Sequence, residues 1–191
     1  MISILLENIN NNDNIEFYLE KKIDFPFFKL LKKYYGSLLS NSHLKDRLQY
    51  TIFNKKTRLP IGILQINRGK NTFLQIALIP SITNKGLGKK IIEKAIQENN
   101  LKKIDWTASE YNYPSLKLLQ KFGGGIFDGQ ENRKSKEGFF KPSKEILPSM
   151  KNNLANAVKE AKQKFKKSDY LNNNVKKEID QYIKNYKRKI N

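Results

Sequence analysis

The segment richest in chemistry is Leu78-Ile-Pro-Ser-Ile-Thr-Asn-Lys-Gly-Leu-Gly-Lys-Lys-Ile-Ile92, where Gly86 and Gly88 stand among Lys85, Lys89 and Lys90 at the start of an apolar pattern of helical period. A glycine-bearing loop at a helix N-terminus aims the unpaired first-turn amides at one spot, and the helix dipole favours negative charge there. Glycine clears side chains from the surface that a phosphate must approach, and lysine adds charge, so these residues suit a phosphate site. They suit an ordinary strand-to-helix turn equally well, and Gly-x-Gly alone does not separate the two. A second group is Glu110, Tyr111 and Tyr113, a carboxylate and two phenols in one short loop, able in principle to take and return a proton. The plainer alternative is a solvated carboxylate beside two packing rings. His43, next to Ser42 and Asn41, reads as a polar turn residue, and Trp106 alternates with Ile104 and Ala108 on one strand face and reads as core.

With no cysteine and one histidine, disulfides, thiolate ligands, a cysteine nucleophile and a histidine metal cluster are all excluded.

The elements that must position these groups follow from apolar spacing. Met1 to Leu6 reads as a strand, Asn8 to Asn14 as a turn, and Asp13 as a helix N-cap. Ile15, Tyr18, Leu19 and Ile23 recur at helical spacing, as do Phe27, Leu30, Leu31 and Tyr34 after a break at Pro26, which predicts two short helices. The Phe25 to Phe28 cluster reads as core anchoring, with an acceptor-pocket lining as the other choice. Tyr50 to Phe53, Ile61 to Ile66 and Thr72 to Ile79 are β-rich runs joined by polar connectors of hairpin length, which predicts an antiparallel meander. Beyond Gly88, Ile91, Ile92, Ala95 and Ile96 mark a helix ended by Asn99 and Asn100. Ile104 to Ser109 is a strand, Ser115 to Phe122 a helix closed by Gly123 to Gly125, and Ile126 to Phe127 with Gly138 to Lys141 a last strand pair. A meander running into β-α-β-α-β predicts a mixed α/β (α+β) sheet domain over residues 1–142.

Composition changes from Ser143. Ile146, Met150, Leu154, Val158, Ala161 and Phe165 form one helical stripe, and Val175, Ile179, Tyr182, Tyr186 and Ile190 form another, with a break over Lys166 to Asn174. Residues 143–191 are thus expected as a basic helical extension, its apolar stripes packed and its lysines exposed. The 191-residue chain carries 37 Lys and Arg against 18 Asp and Glu, a net charge of +19. From Lys141 onward there are 14 Lys and Arg against 5 Asp and Glu. Lys, Asn and Ile are all abundant, so part of this charge reflects compositional bias. No run is long and apolar enough to span a membrane, and Met1 to Ile9 lacks the features of a signal peptide, so a cytoplasmic protein with no membrane partner is expected.

The loop motif resembles that of the GNAT superfamily of acyl-CoA N-acetyltransferases, approximately Val-x-Pro-x-x-Arg/Gln-Gly-x-Gly-x-Gly/Ala. Leu78 falls at the valine, Pro80 at the proline, and Gly86 and Gly88 at the last two small positions, while Thr83 stands at the Arg/Gln site and Asn84 at the first glycine site. Asn tolerates a left-handed backbone, so the second departure is mild. Asn112-Tyr-Pro-Ser-Leu-Lys-Leu-Leu-Gln-Lys-Phe-Gly123 is similar to the family's Asn-x-x-Ser/Ala-x-x-Leu-Tyr-x-x-x-Gly helix, with Leu119 in place of the tyrosine that is thought to return a proton to the leaving thiolate. The resemblance implies acetyl-CoA as cosubstrate, held by Leu78, Ile79, Pro80, Thr83, Asn84, Lys85, Gly86, Leu87, Gly88, Lys89, Asn112 and Ser115. It also implies that the strands Thr72 to Ile79 and Ile104 to Ser109 lie parallel, that a backbone N–H near Leu78 or Ile79 polarises the thioester, and that no metal is required. The family's usual base position falls at Gln75 or Leu74, neither able to take a proton, which leaves Glu110 as base and Tyr113 or Tyr111 as acid.

Three function classes follow: an N-acetyltransferase, a nucleic-acid-binding protein on the same scaffold, and a partner-docking module. The basic body favours an anionic amine acceptor, such as a sugar nucleotide, an acidic protein or an amine on nucleic acid. The basic extension offers a surface for nucleic acid or an acidic protein, and a monomer or homodimer is expected.

Overall fold

The computed structural model describes residues 15–22, 24–36, 47–68, 72–83, 86–130, 135–141, 145–165 and 172–190. The strand expected over Met1 to Leu6, the turn over Asn8 to Asn14, the Asp13 cap and His43 lie outside them. Two compact units are built, one from residues 1–66, 75–88 and 170–191, the other from 67–74 and 89–169.

In the first unit, β1 (Phe17–Glu20) pairs antiparallel with β2 (Arg47–Asn54), and the order continues through β3 (Pro60–Arg68) to the Gln75–Leu78 part of β4 (Thr72–Leu78). β1 corrects an expectation, because the spacing of Ile15, Tyr18, Leu19 and Ile23 predicts a helix. A short apolar run fits either period, and here pairing decides it: Phe17 to Glu20 lie opposite Asn54 to Thr51, and the Tyr18 ring stacks on Phe53 at 5.3 Å between centroids. The following helix, α1 (Phe25–Tyr35), starts one residue before Pro26 instead of after it. Proline is tolerated in a first helical turn, where its missing N–H would have no partner anyway. Asp24 caps this helix, its Oδ1 accepting from the Phe27 amide at 3.1 Å. Phe27 and Leu31 are fully buried, as are Ile52, Ile61, Ile63, Leu64 and Ile66 of the strands. Phe25, by contrast, is 64% exposed, so the phenylalanine cluster is split between core and solvent. The C-terminal helix α5 (Asn173–Ile190) packs on α1, with Val175 and Ile179 fully buried, Tyr182 stacked on Phe27 at 5.5 Å, and Lys33 paired with Glu178 at 2.7 Å.

In the second unit, the start of β4 pairs parallel with β5 (Ile104–Ser109) through Phe73 and Asp105. β5 pairs antiparallel with β7 (Ser135–Phe140), and β7 with β6 (Gly125–Ile126). Gly138 is obligatory here, since a Cβ would lie 2.1 Å from the Gly125 carbonyl oxygen. Helix α2 (Leu87–Asn99) follows the Gly86 turn, buries Ile91, Ile92 and Ala95, and ends as Asn100 turns left-handed at φ 48°. Helix α3 (Tyr113–Lys121) and helix α4 (Pro148–Lys164) share one core, in which Ala108, Leu116, Leu119 and Ile126 meet Leu154, Ala157, Val158 and Ala161. Of the expected C-terminal stripes, Met150, Leu154, Val158 and Ala161 are buried in one core and Val175 and Ile179 in the other, while Ile190, at the end of α5, is 44% exposed and does not continue the second stripe.

No helix among the described residues is long and apolar enough to cross a membrane.

Candidate functional site

At the end of β4 the chain leaves the sheet in defined steps. Ile79 is extended, Pro80–Ile82 form one 3-10 turn, and Thr83 closes it by donating its hydroxyl to the Pro80 carbonyl at 3.0 Å. Asn84 and Lys85 lie outside the described residues. Gly86 has φ 72°, and a Cβ there would meet nothing within 4 Å. The glycine is therefore required for its backbone angle and not for space. Leu87 opens α2 immediately afterwards, so the first-turn amides of Leu87, Gly88 and Lys89 have no intrahelical acceptor. Lys89 stays half-exposed and pairs with Glu93 one turn on, at 3.5 Å. Among the described residues, this turn presents anion-seeking donors and an unobstructed glycine.

One bond fixes the direction of the neighbouring strand. Ile79 N–H donates to the Ile61 carbonyl at 2.9 Å, so it is committed to β3 and is not available to polarise a thioester. This corrects the expectation for the Ile79 amide. Successive residues of a strand turn their N–H and C=O to opposite sides, which directs the Leu78 pair away from β3. The Leu78 carbonyl accepts from the Tyr35 hydroxyl at 2.5 Å. Burial, with Tyr34 beside it, pushes the Tyr35 hydroxyl far above the ordinary tyrosine range, so it stays a donor throughout neutral pH. On the same strand, Gln75 has its Oε1 buried without a hydrogen-bond partner, as does the Ser81 Oγ in the following turn. An unsatisfied buried acceptor costs about 1–3 kcal/mol, which an incoming N–H would recover.

In the second unit, Asn112 caps α3, its Oδ1 accepting from the Ser115 amide at 3.2 Å, with Pro114 in the first turn. The Ser115 hydroxyl accepts from Trp106 Nε1 at 2.9 Å, so the half-buried indole is a hydrogen-bonding group as well as core. Leu119, at the family's tyrosine position, is fully buried beside Leu116. Glu110 has its side chain 18% exposed, with Oε2 3.7 Å from Lys164 Nζ. The same ammonium lies 5.8 Å over the Tyr111 ring, and Phe165 packs against Tyr113 at 6.5 Å between centroids. The last turn of α4 thus attends the whole Glu110 to Tyr113 loop. Sequence reasoning missed Lys164 and Tyr35: nothing distinguishes Lys164 from its neighbouring lysines, and Tyr35 stands beside the equally aromatic Tyr34. Among the described residues, Gln75 to Thr83 and Gly86 to Gly88 belong to the first unit, and Lys89 and Glu110 to Ser115 to the second.

No group of three or more His, Cys, Asp or Glu side chains among the described residues is arranged to hold a metal ion.

The model of the acetyltransferase (GNAT) family matches residues 12–124. None of the curated proteins matches. Among solved structures, mutant forms of the spermidine/spermine N-acetyltransferase SpeG from Vibrio cholerae are 15% identical, with 69% of this chain and 96% of that one covered and a TM-score of 0.52. A GNAT family acetyltransferase from Elizabethkingia anophelis with acetyl-CoA bound is 17% identical over 68% of this chain and 99% of that one, at a TM-score of 0.50. A Bacillus subtilis acetyltransferase in complex with CoA is 16% identical over 67% and 99%, also at 0.50. At such identities the likeness is one of fold.

Proposed function

The chain belongs to the acetyltransferase (GNAT) family, and on that premise we propose that it transfers an acyl group from acetyl-CoA directly to a primary amine on an anionic acceptor. The observation that carries the reading is the Gly86 turn, left-handed at φ 72° with no obstruction and followed at once by the free amides of α2. That arrangement suits a pyrophosphate, with Thr83, Asn84, Lys85, Gly86, Leu87, Gly88 and Lys89 around it. Leu78 turns backbone groups away from β3, in the way that a pantetheine amide would need, beside Ile79 and Pro80. Asn112 and Ser115 are assigned to the cofactor through the family motif.

In this reading, the Leu78 N–H polarises the thioester carbonyl. The amine lone pair attacks the carbonyl carbon, the C–S bond breaks, and the thiolate leaves. Glu110 accepts the proton that the ammonium loses before attack; the nitrogen sheds its second proton as the C–S bond breaks, and Tyr113 or Tyr111 gives a proton to the thiolate and regains the one that the nitrogen sheds, leaving the amide and the CoA thiol. Gln75 contributes its unpartnered Oε1 as an acceptor for the substrate N–H, orienting the amine without deprotonating it. With no cysteine in the chain, no cysteine acyl-enzyme is formed.

The net charge of +19 disfavours a polyamine and favours a sugar nucleotide, an acidic protein or a nucleic-acid-linked amine. The spermidine/spermine enzyme shares the fold, and its acceptor does not transfer at 15% identity. The deciding experiment is calorimetric titration with acetyl-CoA and CoA, followed by an amine screen that includes sugar nucleotides and aminoacylated RNA.

A second reading rests on the end of α5, where Tyr182, Asn185, Tyr186, Arg188 and Lys189 line a cleft of about 400 Å³. Aromatic rings beside cations suit a nucleic acid strand, and the fold would then be a scaffold for binding. Retention by immobilised RNA that falls steeply with salt, without any acetyl-CoA binding, would select it.

A further inference from the structure

In a continuous sheet the Leu78 carbonyl would accept an N–H from the next strand. It accepts instead the Tyr35 hydroxyl, at 2.5 Å, from a helix 43 positions earlier. The side is fixed, because the Ile79 to Ile61 bond at 2.9 Å commits the adjoining residue to β3. Tyr35 is the last residue of α1, whose Phe27 and Leu31 are wholly buried, and the Tyr34 ring meets it edge-on at 5.0 Å. Gly36, left-handed at φ 53°, then ends the helix. The hydroxyl is therefore held in place by packing, yet it is tied to the carbonyl by one exchangeable bond. A phenol supplies the same single donor as a strand amide.

We propose that Tyr35 is an internal stand-in for the pantetheine arm: its hydroxyl occupies the Leu78 carbonyl, and an amide N–H of the arm takes its place on binding. This rests on the acetyl-CoA reading above. Tyr35 is then a positioning residue that sets cofactor affinity by competition. Binding exchanges one hydrogen bond for another, so the net gain from this contact is small in the natural chain and larger once the competitor is gone.

The test compares the natural chain with Tyr35→Phe in calorimetric titrations with CoA and with adenosine 3′,5′-bisphosphate, which keeps phosphates but lacks the amide arm. Tyr35→Phe is expected to bind CoA about three- to tenfold more tightly, the worth of one neutral hydrogen bond, with the bisphosphate unchanged. Equal or weaker CoA binding overturns the proposal and leaves the cofactor reading standing, as does an equal shift for both ligands. If the natural chain binds neither ligand, the cofactor reading falls and takes this one with it. Should Tyr35→Phe fail to fold, 3-fluorotyrosine placed at position 35 of the full chain gives a second readout. A fluorine shift on adding CoA but not bisphosphate supports exchange at the carbonyl, and no shift with bound CoA overturns it.

Discussion

The hydroxyl of Tyr182 donates to the Asp24 carboxylate, whose other oxygen caps α1 through the Phe27 amide at 3.1 Å. One side chain therefore both starts a helix and ties it to another that is 158 positions away in sequence. Asp24→Ala removes both bonds and should destabilise the protein by about 2 kcal/mol, roughly one for the cap and one for the lost partner. Tyr182→Phe should cost about 1 kcal/mol. Urea unfolding of the two variants and their double mutant tests this, and fully additive losses would show that the two residues are not coupled.

Alkaline pH should expose the same packing. Burial pushes Tyr182 well above the ordinary tyrosine range, helped by its bond to Asp24, and burial does the same for Tyr35. The folded-state values are raised, so the unfolded chain releases these protons first. Their contribution to stability is complete below about pH 10, the ordinary tyrosine value, and is lost as pH rises past it. Urea midpoints should hold steady from about pH 7 to 9 and then fall above about pH 10. Tyr182→Phe should fall less steeply, and a natural chain with an unchanged midpoint at about pH 11 would contradict the assignment.

Truncation after Pro142 should abolish cooperative folding. The cut removes Leu154 and Ala161 from one core and Val175 and Ile179 from the other, all at 0–1% exposure. Burying a side chain such as Leu, Val or Ile is worth about 1.5–3 kcal/mol. The sum approaches the entire stability of a typical domain, about 5–15 kcal/mol. A truncated chain that melts sharply near the natural temperature would show residues 143–191 to be a separate appendage.

The helices and strands from Tyr50 to Phe122 are legible in the sequence because their apolar periods run long enough to separate 2 from 3.6, and because Asn54, Asn100 and Gly123 mark their ends, although the helix read from Ser115 starts at Tyr113 under an Asn112 cap. Phe17 to Glu20 is too short for its period to decide, and only β2 makes it a strand. The turn at Gly86 is equally legible, since its glycine performs a local backbone task. Tyr35 and Lys164 are not legible: each acts on a residue 43 or 54 positions away, and no spacing rule reaches across a fold to pair a hydroxyl with the Leu78 carbonyl or an ammonium with Glu110.

Gly86→Val should leave the protein folded and remove acetyl-CoA binding. At φ 72° a β-branched residue is strained by about 1–2 kcal/mol, yet among the described residues, its chain neighbours aside, no atom lies within 4 Å of its Cβ, so the cost falls on the turn and not on packing. The turn should relax and re-aim the first amides of α2. Calorimetry should show at least a tenfold loss of acetyl-CoA affinity, about 1.4 kcal/mol, with a melting temperature within a few degrees of the natural chain. Unchanged affinity would mean that the loop is a turn and nothing more.

Glu110→Gln tests proton handling. Glu110 is three-quarters or more buried, 3.7 Å from Lys164, in a loop whose two tyrosines are packed by α4 and its following phenylalanine. The amide keeps the shape and the contact with Lys164 but cannot take a proton. If Glu110 is the base, kcat should fall about 10²- to 10⁴-fold while acetyl-CoA affinity stays the same. Lys164→Met should leave acetyl-CoA affinity intact and change kcat far less, since it alters the surroundings of the carboxylate but not its identity. Equal pH–rate profiles for Glu110→Gln and the natural chain would remove Glu110 from the mechanism. An acylated protein isolated as a competent intermediate would overturn direct transfer, and acetyl-CoA binding without acylation of any amine in the screen would mean that the changes at Gln75 and Leu119 have ended catalysis while leaving the cofactor turn intact.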